Sequence, residues 1–163
     1  MTTENTIRVN ELATRDELET SREASQELIA SMQENSTSVY SSIQGDSFED
    51  RVAVVAAITD AEPLADHLGQ TIWLKDIVAH SVTITDEETG EVSVQPRTIL
   101  IDKDGKAYSA VSGVIVNRLT TIVNVIGQPH TWPSPLPIRV TREKASGVRT
   151  FFEVRIVTGA KPK

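Results

Sequence analysis

Between Pro129 and the C-terminus stand seven basic residues, Arg139, Arg142, Lys144, Arg149, Arg155, Lys161 and Lys163, against only Glu143 and Glu153. Phe151 and Phe152 sit among them. Guanidinium and ammonium groups hold anionic oxygens by charge, and exposed aromatic rings stack on flat π systems. The stretch RTFFEVRIV reads as a strand, whose side chains alternate between two faces. Phe152, Val154 and Ile156 share the apolar face. Phe151, Glu153 and Arg155 share the other, and Arg139 is outward because Ile138 and Val140 take the apolar side. Phe151 is thus a stacking candidate flanked by arginines. It has two other readings: packing beneath the N-terminal helix, or a bulge that turns it into the core.

Other side chains could do the same chemistry. Tyr108 has a polar tip and small neighbours, which suits either stacking or a barrel edge with its hydroxyl in water. Trp73 lies between Ile72 and Leu74. If those two face the core it faces out, although its strand is long enough to bulge. Trp132, in HTWPSP, reads as a structural ring beneath a loop. Lys75, Arg97, Lys103 and Lys106 are further phosphate candidates. Catalytic inventories fail. His67, His80 and His130 are far apart and show no ligand spacing. DKDG and DEETGE read as turns, the first lacking the spacing and terminal Glu of a calcium loop. There is no phosphate-binding loop, and SGV is not a nucleophile elbow. No enzyme activity, metal or cofactor is expected.

The net charge of −7 hides an asymmetry. Residues 1–69 carry four basic and fourteen acidic residues, whereas residues 70–163 carry twelve and nine. The local field decides where a polyanion docks, so the total does not exclude one. The chain has 163 residues and no cysteine, which suits one domain without disulfides or thiolate sites. No apolar run approaches the ~20 residues of a membrane span, and no signal peptide is visible, so a cytoplasmic location is the expectation.

Residues 1–45 read as a mobile acidic arm holding one amphipathic helix. Residues 46–70 read as a helical lead-in that packs on a barrel. There Ser47 and Asp50 form a capping arrangement, Phe48, Val52, Val55 and Ile58 recur at helical spacing, and Pro63 opens a second short helix ending before Gly69. From Thr71 the period changes to two. TIWLKDIVAHSVTIT is a long strand, with alternation at Val78, His80, Val82 and Ile84. VSVQPRTILID and KAYSAVS follow across tight turns. Ile115, Leu119, Ile122 and Ile126 form a helical stripe, with Ser112 as its cap and Gly127 at its end. IRVTREK and VRTFFEVRIV close the domain at residue 157, and residues 158–163 are a tail. The order strand, strand, strand, helix, strand, strand is that of an OB-like five-stranded barrel, here preceded by a helical region.

DEETGE, RTILIDKDGKAYSAVS, a short helix, then GQP and TW around His130 and a basic hairpin resemble the small single-stranded-DNA-binding proteins of bacteriophages and plasmids. SFEDRVAVVAAITDAEPLADHLGQTIWLKDI is similar to that family's lead-in. The resemblance spans about residues 46–157. It implies an OB-like fold and sequence-tolerant binding that protects single strands in replication or recombination. On that reading the nucleic-acid-binding candidates are Phe151, Tyr108, Trp73, Arg139, Arg142, Lys144, Arg149, Arg155, Arg97, Lys75 and Lys106. The arm could occupy the groove, join subunits of a homo-oligomer, or recruit replication or recombination proteins. The rival class is a protein-interaction or assembly module using the basic hairpin and the arm.

Overall fold

The structure, a computed structural model, describes residues 39–147 and 149–161, so the arm before Val39 lies outside the described residues. The first described element is a strand, β1 (Val39–Ser41), which pairs antiparallel with the long strand β3 (Thr71–Thr85). Tyr40 is buried in the core. The folded unit therefore begins before the boundary at residue 45 that composition suggests. The Ser- and Thr-rich context of Tyr40 reads as a linker, but one large ring opposite Ala79 is enough to anchor it.

Helix α1 (Phe48–Asp60) starts where the capping arrangement places it. Ser47 Oγ accepts from the Asp50 backbone N–H at 3.1 Å, and the Asp50 carboxylate accepts from the Ser47 N–H at 3.3 Å. Ser47→Ala is expected to remove about 1 kcal/mol of stability, read by urea unfolding. An unchanged midpoint would mean that α1 does not unfold with the sheet. The apolar stripe noted from spacing is not the buried one. Val54, Ala57, Ile58 and Ala61 pack on Val78, Ile99, Ile101 and Ala107, whereas Phe48 is 77% and Val55 62% exposed. At 100° per residue, Phe48, Val52 and Val55 lie on the side of the helix opposite Ala57. A two-residue strand, β2 (Glu62–Pro63), and a 3-10 turn (Leu64–His67) follow.

β3, β4 (Val92–Asp102) and β5 (Ala107–Val111) form an antiparallel meander. Helix α2 (Gly113–Ile126) is capped by Ser112, and Gly127 ends it with φ +87°. β6 (Leu136–Lys144) and β7 (Thr150–Ile156) make the last hairpin. The strand path is β2-β5-β4-β3-β6-β7, with β1 also on β3. Among the described residues no ladder joins the two ends of that path, so in place of the expected OB-like five-stranded barrel the sheet is a curled, seven-stranded half-barrel.

One irregularity sets which residues are inside. The β3–β4 register shifts between Leu74 and Asp76, leaving Lys75 as an inserted residue. Ile72 and Leu74 before the bulge, and Ile77 and Ala79 after it, all join the main core with Leu100, Ile138, Val140 and Val154. The even positions Val78 and His80 turn toward the α1 side instead. From α2, Ile115, Leu119, Ile122 and Val123 fill the concave face, while Ile126 at the helix end is exposed. The bend lets one edge of β3 carry two partners, β6 at Thr71–Leu74 and β1 at Val78–His80.

Beside the bulge, Ser42 Oγ donates to Asp76 Oδ1 at 2.9 Å and accepts from the Ile77 N–H at 2.8 Å. Burial pushes the Asp76 carboxyl above the usual range, against the opposing pulls of the Ser42 bond, Lys75 and His130. A raised folded pKa favours folding fully below the unfolded value, and that contribution is lost as pH rises through the folded one. Asp76→Asn keeps an oxygen for Ser42. It is expected to raise Tm at pH 7 and leave it near wild type at pH 3. Equal shifts at both pH values would remove the ionisation argument.

Candidate nucleic-acid interface

Residues directly opposite in a ladder point to the same face. Ile138 opposite Ile156 and Val140 opposite Val154 belong to the inner face of the last hairpin. The alternate rows are outer. They pair Trp73 with Pro137, Thr71 with Arg139, Arg139 with Arg155, Thr141 with Glu153, and Glu143 with Phe151. Trp73, Arg139, Arg155 and Phe151 therefore share one outer face across β3, β6 and β7. Six residues of β6 separate the Trp73 row from the Phe151 row, about 20 Å at the rise of an extended strand.

Arg139 and Arg155 are exposed and directly opposed, and Arg139 donates to Thr71 Oγ1 at 3.2 Å. Like charges facing each other in a ladder are destabilising. No carboxylate among the described residues forms an ion pair with either, so an anion laid between them would relieve the repulsion. Glu153, the acid nearest this pair, is held by Arg118 of α2 at 2.8 Å. Glu143 accepts from Thr141 Oγ1 at 3.0 Å and lies opposite Phe151.

The other candidates are placed differently. Phe152 packs on the core, and the Arg142 guanidinium lies 5.2 Å from its ring centre on the inner side. Lys144 pairs with Thr150 at the hairpin end, and Arg149 is exposed in the turn. Tyr108 is not at the surface: register with Leu100 turns its ring inward, 6% exposed and edge-on to His67. Burial, then the nearby acids Asp102 and Glu62, raise its hydroxyl pKa. Arg97 is drawn under α1, donating to the Ile58 carbonyl at 3.0 Å and to His80 at 3.3 Å. It satisfies one of the orphan carbonyls at the helix end. Burial, then Arg97, lower the His80 pKa and keep that ring neutral. Lys75 and Lys106 line a cleft beneath α1 beside Asp50, Asp60, Glu62 and Asp102, and Lys106 lies 3.7 Å from Glu62. Both belong to the part of the sheet that α1 covers. Trp132 packs on the core and donates from Nε1 to the Gly127 carbonyl at 2.9 Å.

Sequence reading missed the facing of Arg139 and Arg155, and the Thr71 and Pro137 surface beside them. The turn was the available signal. The Ala145 N–H bonds the Arg149 carbonyl, which fixes Lys144 opposite Thr150 and, counting back, Arg139 opposite Arg155. Among the described residues no group of three or more His, Asp or Glu could hold a metal ion, and no helix is long and apolar enough to cross a membrane.

The fold and this face define a class: a mixed α/β protein whose curled half-barrel sheet turns a cationic, partly aromatic surface outward. The chain belongs to the Phi29 phage single-stranded DNA-binding protein family, whose model, described as phage single-stranded DNA-binding protein, matches residues 33–157. Membership implies binding of single-stranded DNA by a phage protein, in a family that is generally non-enzymatic. No curated protein and no solved structure matches the chain.

Proposed function

We propose that this protein coats single-stranded DNA without sequence preference and protects it during phage replication or recombination. The supporting observation is the placement of Trp73, Arg139, Arg155 and Phe151 on one outer face. Every nucleotide has a phosphate and a π-face, so such a surface binds any sequence. The strand order supports an OB-like relationship. A three-strand meander is followed by a helix that fills the concave side, and the last hairpin returns to the first strand of the meander. Arg142, Lys144 and Arg149 at the hairpin end extend the positive field that draws in the strand.

The exposed Phe48, Val52 and Val55 side of α1 favours a second reading, a protein-interaction or assembly module. Intrinsic tryptophan fluorescence separates the two. Oligo-dT is expected to quench Trp73 strongly and duplex DNA weakly, with affinity falling steeply between two salt concentrations. Trp73→Phe removes the quench and leaves the inner Trp132 signal. Equal binding of duplex, or no salt dependence, overturns the single-strand reading.

A further inference from the structure

Beyond His80 and Arg97 the β3–β4 hairpin continues to the turn at Asp86–Glu91. Among the described residues β1 pairing reaches His80, and β5 pairing ends at Arg97. Val92 and Val94 are exposed on one face of this hairpin and Ile84 on the other. Exposed apolar side chains on a hairpin gain by being covered. Its turn carries Asp86, Glu87, Glu88 and Glu91, and residues 81–96 contain no Lys or Arg.

The complementary surface is at the other end of the molecule. β6 pairs with β3 only at Thr71–Leu74, and the two run antiparallel. From Arg139 onward β6 runs past the start of β3, so the Lys144–Arg149 turn and the Asp86–Glu91 turn lie at opposite ends of the ladder. Some nineteen strand residues separate Lys144 from Thr85, about 60 Å measured along the strands. The ladder keeps the two turns of one molecule apart, so they can meet only between molecules.

We propose that the β3–β4 hairpin docks on the basic β6–β7 turn of a second copy, so that successive copies associate head to tail. The acidic turn meets Lys144 and Arg149, and Val92 and Val94, which share one face of the hairpin, are covered by the neighbour. Such a contact is heterologous, uses different patches on the two copies, and propagates into a row. The contact goes beyond the proposed single-strand binding and does not depend on it.

The cysteine-free chain gives a clean test. Glu88→Cys and Ala145→Cys place one thiol in each turn. The double variant is treated with a short bis-maleimide, at high protein concentration and on long oligo-dT. The expected product is a ladder of dimers, trimers and longer species, with neither single variant cross-linking. Adding Glu87→Lys, which is off the proposed DNA face, is expected to thin the ladder several-fold. Absence of a ladder under both conditions, in protein whose circular dichroism matches wild type, overturns the contact. Equal dimer formation by Glu88→Cys alone also overturns it, since that would mean like turns meeting. Ladders in protein that does not retain oligo-dT would sink the proposed function and leave this contact standing.

Discussion

Replacing Arg139 and Arg155 together with Ala is expected to weaken binding of any single strand by about 3 kcal/mol at low salt, roughly 100-fold. Each guanidinium is counted as one charge-assisted hydrogen bond of about 1.5 kcal/mol. The plot of log affinity against log salt should flatten by about 0.7 for each phosphate no longer neutralised, hence by about 1.4. The pair is chosen because the two side chains face each other across the β6–β7 ladder. That facing also predicts that the double variant is no less stable than wild type, since a like-charge repulsion is removed. Lys106→Ala is the comparison. Its ammonium is engaged with Glu62 in the acidic cleft, so the salt slope should not move. A double variant with an unchanged slope would place the phosphates elsewhere.

The adjacent phenylalanines should separate stability from binding. Phe152→Ala is expected to cost about 3 kcal/mol of stability, at the low end for a core Phe because the ring is only half-buried. The ring packs on the main core and supports the Arg142 guanidinium. Phe151→Ala should leave the urea midpoint nearly unchanged and weaken oligo-dT binding by about 1–2 kcal/mol, the value of one stacked base. Urea melts and titrations of the same two variants give the answer. If Phe151→Ala instead unfolds the protein and leaves binding intact, the stacking role is gone.

The separation of those two rings is legible in the sequence because period two is rigid in a short hairpin. Ile138, Val140 and Val154 leave no doubt which side is apolar. The α2 stripe is legible for a similar reason, with Ile115, Leu119 and Ile122 all at helical spacing. What cannot be read is set by partners distant in sequence. Tyr108 lies between Ala107 and Ser109, which give no sign of its face; pairing with Leu100 decides it. Arg97 reads as a free cation because the carbonyl it caps lies 39 residues away. The Phe48, Val52 and Val55 stripe misleads because apolar periodicity marks a face without saying whether it is covered. β1 is hidden because its neighbours are polar. Closure of the barrel depends on ladder pairings that no local pattern encodes.

The inserted Lys75 has a further consequence for how this sequence can change over generations. β3 is written in two reading phases, even residues inward before the bulge and odd residues inward after it. Point changes at Lys75 are cheap, because its side chain is exposed. Deleting it is not a local event. Without it, plain alternation after Leu74 turns Asp76 outward and keeps Ile77 and Ala79 inside, so the facing survives, while the bulge and the bend that lets one edge of β3 carry both β6 and β1 are lost. Length at this position therefore sets the bend of β3, whereas residue identity there does not.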